Sequence, residues 1–193
     1  MNAITLLDEL STITKDNLRQ VQSLKKLSLD ELNFKPDTES WSVLECIEHL
    51  NRYGNFYIPE IRKRIAQSNY KTSPVFKHGW LGNYFVQSML PKEKLNKMKT
   101  FKSMNPNNSK LDSAILDTFI LQQEALLDLL NQARNTDLTR VKTAISITRW
   151  IKLKLGDTFR VVIYHNLRHI IQARNVLERI PQNQSVVNST NCS

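Results

Sequence analysis

Four stretches of the chain repeat their apolar residues at three- and four-residue steps, the period of an α-helix with one buried face. The first stretch is marked by Leu6, Leu10, Ile13, Val21, Leu24 and Leu27, the second by Ile47, Leu50, Tyr57, Ile61 and Ile65. The third runs through Leu111, Ile115, Phe119, Leu126, Leu129, Leu130 and Ala133, the fourth through Phe159, Ile163, Ile170, Ala173 and Leu177. Only four glycines occur in 193 residues, which argues against a barrel, a sandwich or a phosphate loop. The periodicity predicts an all-α domain with long helices near residues 3–27, 42–67, 109–135 and 157–180.

Local signals sharpen the ends of these helices. Ser42-x-x-Glu45 reads as a capping box, in which serine and glutamate each satisfy a backbone N–H of the first turn. Ser109-x-x-Asp112 is expected to open the third helix, and Gly156-Asp157 to break the chain and cap the last one before Pro181 ends it. Residues 69–108 form a long connection punctuated by Pro74, Gly79, Gly82, Pro91 and Pro106, with a short helix possible over Trp80–Val86. Such a connection crosses the bundle or covers a site. Residues 136–155 stay open between a strand over Ala144–Thr148 and a short helix over Trp150–Lys154. One domain over residues 1–180 is expected, followed by a polar, disordered tail over 181–193.

Charge and composition exclude more than they assign. A formal net charge of +9 invites a nucleic-acid partner, but the basic residues are scattered. Arg62-Lys63-Arg64 and the series Lys92, Lys94, Lys97, Lys99 and Lys102 read as solvated faces, and no zinc-finger or RNP-like spacing occurs. No apolar run is long enough to span a membrane, the N-terminus does not resemble a secretory signal, and Cys46 and Cys192 are the only cysteines. A cytoplasmic protein is expected. Apolar residues on more than one face of the first and third helices point to a homodimer.

The chemistry concentrates in Tyr164-His165-Asn166-Leu167-Arg168-His169-Ile170-Ile171-Gln172, which holds two of only four histidines. At i and i+4 on a helix they share a face, so two imidazoles can hold one ion if a third ligand arrives from elsewhere. His49, one turn into the second helix, is the candidate. The competing reading gives each histidine an ordinary hydrogen bond at a helix interface, and the H-x-x-x-H spacing alone does not choose between them. Gln172 and Tyr164 are plausible partners for the outward ring nitrogens, and Tyr53 shares the face of His49. Cys46 shares it too, as a fourth ligand or a small buried apolar residue. Glu45 belongs to the capping box, Glu48 and His78 to the surface, and Trp41 to packing. No G-x-S-x-G occurs.

The W-S-V-x-E-x-x-x-H-L pattern over Trp41–Leu50, followed by H-x-x-x-H-x-x-Q over His165–Gln172, resembles the DinB-like (DinB/YfiT) superfamily of metal-dependent enzymes. Gly79-Trp80-Leu81-Gly82-Asn83-Tyr84-Phe85 and Met98-Lys99-Thr100-Phe101-Lys102 are similar to segments of a bacterial subgroup, and the resemblance covers residues 3–180. It implies a four-helix bundle with a long connection between its second and third helices. It also implies one divalent metal ion, zinc or nickel, on His49, His165 and His169, leaving positions open for catalysis. The implied reactions are of hydrolase type, activating water, or of thiol S-transferase type, using a low-molecular-weight thiol on a small-molecule substrate. The alternative is a non-catalytic interaction module whose basic surface meets an acidic partner.

Overall fold

The structure, a computed structural model, describes residues 1–90 and 100–181. Four long helices carry it: α1 (Ala3–Leu24), α3 (Val43–Ala66), α5 (Ala114–Gln132) and α6 (Leu155–Leu177), joined by the shorter α2 (Leu29–Asn33) and α4 (Trp80–Met89). Each long helix lies where the apolar period places one. α1 and α3 both pack against α5 and α6. At the head of α3, Ser42 and Glu45 form the expected capping box, and Ser28 with Glu31 forms another on α2.

The apolar stripes meet in two clusters. One gathers Leu6, Leu10, Ile61, Leu126, Phe159 and Ile163, the other Val21, Ile47, Leu50, Phe119, Ile170 and Ala173. Between the two clusters each long helix buries one amide: Asn17 on α1, Asn51 on α3, Gln123 on α5 and Asn166 on α6. Asn166 donates from Nδ2 to Gln123 Oε1 at 3.2 Å, and Asn51 donates to the Ile115 carbonyl at 3.0 Å.

Residues left open by the sequence form a small sheet. β1 (Lys142–Ile145) and β2 (Thr148–Lys154) pair antiparallel, Lys142 opposite Lys154 and Ala144 opposite Lys152, with an irregularity between Ala144 and Ile145. The strand alternative therefore extends through Trp150–Lys154, and no short helix forms there. The ribbon is tied down from both sides: the Ala144 N–H donates to Glu60 Oε1 at 2.8 Å, and Thr143 and Thr158 share a buried hydroxyl contact at 2.6 Å. Its apolar face, Ile145 and Leu153, meets Val86 of α4 and Val161 of α6 in a third cluster.

Two helix starts differ from expectation. α5 begins at Ala114 rather than near Ser109: Asp112 Oδ1 accepts from the Ala114 N–H at 2.9 Å, so this carboxylate meets the first turn from outside instead of lying within it. α6 begins at Leu155, directly from β2, so Gly156 and Asp157 lie inside the helix and Asp157 is no N-cap. Gly156 is required there by packing, since a Cβ would come within 2.5 Å of the Phe76 ring. The Asp157 carboxylate is spent elsewhere: it accepts from the Gly79 N–H at 2.7 Å and from Arg160 at 3.2 Å. These contacts clamp the start of α4 to α6, and α4 lies within the connection expected to cross or cover a site. The lysines Lys92, Lys94, Lys97 and Lys99 and the expected tail after Pro181 lie outside the described residues. No helix among the described residues is long and apolar enough to cross a membrane.

Candidate metal centre

His49 comes from the second turn of α3, and His165 and His169 from successive turns of α6. Because α3 packs along α6, the three rings converge, with centroids 4.5 to 5.0 Å apart. One ring nitrogen of each lies within 4.8 Å of the others. His49 Nε2 and His165 Nε2 are 3.2 Å apart. Two nitrogens on a tetrahedral ion at ~2.05 Å stand about 3.3 Å apart, so this edge already has the length a shared ion requires.

The outward nitrogens settle which ring atoms face inward. His49 Nδ1 lies 2.7 Å from the Met104 carbonyl, which can only accept, so Nδ1 carries the proton and Nε2 is bare. His169 Nδ1 lies 2.9 Å from Gln172 Oε1, with the same consequence. Loss of solvation holds all three rings neutral: His49 is pushed down to about 4, His169 to about 3, and His165 well below its usual value. Neighbouring positive charge, including Arg168, lowers His165 and His169 further. Neutral rings with bare nitrogens pointing at one another are poor company without a cation and good ligands with one. The donor set therefore fits a divalent ion.

Among the described residues no cysteine or carboxylate joins this group. Cys46 is fully buried and packs in the apolar cluster with Val21 and Ile47, which leaves it as a core residue; burial pushes its thiol well up. Tyr53 stands with its ring against His49 and His165, at 5.0 and 4.8 Å, and burial pushes its phenol up to about 12. Gln172 stands beside His169 as the sequence anticipated. Tyr164 does not: its hydroxyl donates to Glu9 on α1 at 2.9 Å, because position 164 turns away from the α6 face that carries the histidines. His78 is exposed, with its carbonyl accepting from Lys154. Glu48 is half-buried rather than free in solvent and accepts from Arg52 at 2.8 Å.

The histidines floor a cleft of about 930 Å³. Trp41, read as a packing residue, lines it and lies against His49 and His169, with ring centroids 4.8 and 5.7 Å away. Sequence reasoning missed three contributors: the Met104 carbonyl, the hairpin wall of Ile145 and Leu153, and Arg168, which is 4% exposed yet lines the cleft. The available signal for Arg168 was its place one residue before His169 on a helix apolar round most of its circumference.

The geometry agrees with comparison against known families. The family model described as the DinB superfamily matches residues 12–173, most of the chain. No curated protein and no solved structure matches it.

Proposed function

The chain belongs to the DinB superfamily, and we propose that it is a metal-dependent enzyme whose His49, His165 and His169 hold one divalent ion, zinc or nickel. Its α1, α3, α5 and α6 form the four-helix bundle of the DinB/YfiT type under this reading. The observation that carries it is the convergence of three neutral ring nitrogens at the floor of a cleft, without a fourth protein ligand among the described residues. Three ligands and an accessible side are the composition of a catalytic rather than a structural site.

When bound, the ion supplies Lewis-acid activation of water or of a low-molecular-weight thiol. The chain's own residues do the rest. The Met104 carbonyl and Gln172 fix the ring orientation of His49 and His169. Tyr53, its phenol kept protonated beside the rings, is placed to donate a hydrogen bond to a substrate oxygen. Trp41, Tyr57 and the hairpin residues exclude water from the small-molecule substrate. Hydrolase and thiol S-transferase chemistry are both compatible with this arrangement.

Elemental analysis of protein purified without an affinity tag, followed by activity screening with and without thiol cofactors, tests the proposal. One divalent ion per chain and thiol-dependent turnover select the transferase, turnover in water alone the hydrolase. Protein that takes up no ion after dialysis against zinc and nickel overturns the metal reading.

A further inference from the structure

The cleft changes character along its length. On α6 the residues lining it run Val161, Val162, His165, Arg168, His169 and Gln172, about 17 Å of helix with the apolar residues at one end and the polar ones at the other. α3 follows the same gradient in the opposite chain direction. Its His49 meets His165 and His169, Tyr53 meets His165, and Tyr57 joins the apolar cluster that contains Val162. The hairpin closes the apolar end, where Ile145 and Leu153 pack with Val161 and the Ser146 N–H donates to the Tyr57 hydroxyl at 3.4 Å.

The polar end is electropositive. Three neutral imidazoles bring no negative charge to offset a divalent ion. Arg168 lines the cleft on the same stretch of helix, between His165 and His169. Among the described residues the cleft's carboxylates are Asp37 and Glu39, both exposed at its mouth, and Asp37 already accepts from Ser40 at 2.8 Å. Field and shape therefore select the two ends of a ligand separately.

We propose that the cleft takes an amphipathic carboxylate, its head at the histidines and Arg168 and its unbranched apolar tail running toward Tyr57, Val161 and Val162. The choice of head group rests in part on the metal reading above; the tail and the Arg168 contact do not. A carboxylate accepts from the planar guanidinium at two oxygens, or shares itself between guanidinium and ion, where an alcohol offers one neutral oxygen and an amine is repelled. The tail gains from leaving water.

The full chain, zinc-loaded and again after zinc removal, is titrated by calorimetry with butanoate, hexanoate and octanoate, and with octanol and octylamine. Affinity among the carboxylates should rise with length, by up to roughly fourfold per methylene where burial is complete. Octanoate should bind at least tenfold tighter than octanol, and octylamine should not bind. Arg168→Gln should cost octanoate about tenfold with and without zinc, and Arg168→Lys less, neither changing zinc content. Octanol or octylamine binding as tightly as octanoate, or an affinity independent of chain length, overturns the proposal. These comparisons on the unmodified chain decide it even where an Arg168 variant folds poorly. Zinc content separates the two readings. Head and tail preferences in a chain that never holds zinc sink the metal site alone, and one zinc per chain without those preferences sinks this inference alone.

Discussion

The amides Asn17, Asn51, Gln123 and Asn166, one on each long helix, and the histidines His49, His165 and His169, on α3 and α6 alone, interrupt the apolar stripes where the two clusters adjoin. An amide carries both donors and an acceptor, so two amides from different helices can satisfy each other, as Asn166 and Gln123 do at 3.2 Å. The imidazoles differ. With Nδ1–H of His49 and His169 committed outward, their Nε2 atoms turn inward, where His49 Nε2 faces a third imidazole, His165 Nε2 at 3.2 Å, and no carboxylate or cysteine among the described residues joins them. Among the amides, the Gln123–Asn166 pair closes on itself and ties α5 to α6, whereas the histidines stand at the edge of a cleft. Neighbouring buried polar groups thus serve structure or chemistry according to whether their partners come from within the chain.

The largest expected effect breaks the open half. Alanine at His49, His165 or His169 leaves two ligands and should abolish metal retention, while helical circular dichroism persists because the apolar stripes are untouched. His78→Ala should leave metal content unchanged. Full stoichiometry in His165→Ala, read by elemental analysis, would refute the assignment.

A second expectation concerns the metal-free protein and pH. His49 and His169 have folded values of about 4 and about 3 against an unfolded 6.5, so below 6.5 the unfolded chain binds more protons. Their contribution to stability is whole above pH 6.5 and is lost as pH falls through the folded values. Each ring adds a slope of up to about 1.4 kcal/mol per pH unit within that window. Urea midpoints between pH 7.5 and 4 measure it, and bound zinc should resist the loss until the ligands protonate. A flat profile would show that the rings are solvated.

Smaller effects sharpen the closed half. Gln123→Leu strands the Asn166 amide and should cost about 1–3 kcal/mol in urea denaturation. Asn17 behaves oppositely. It is fully buried, and neither amide atom has a hydrogen-bond partner among the described residues, so Asn17→Leu should be neutral or stabilise by about 1 kcal/mol. A clear loss of stability would mean that this amide is paired after all.

What the sequence determined by itself is what neighbours along the chain encode. The long helices follow from contacts three and four residues apart, and the predicted 42–67 and 157–180 lie within a few residues of Val43–Ala66 and Leu155–Leu177. The Ser42 and Glu45 cap and the shared face of His165 and His169 are local in the same sense. His49 was legible by resemblance rather than by spacing, since nothing local ties it to residues 116 positions away. Tertiary structure alone decided the rest. Residues 142–154 become strands because Glu60 of α3 and Thr158 of α6 receive them. Asp157 gives up capping because Gly79, 78 residues earlier in the chain, needs its carboxylate. Tyr164 is drawn to Glu9 across 155 residues. In each case a polar group is satisfied by a partner that only the packed helices bring within reach. Helical periodicity records which face is buried, not which atom it will meet.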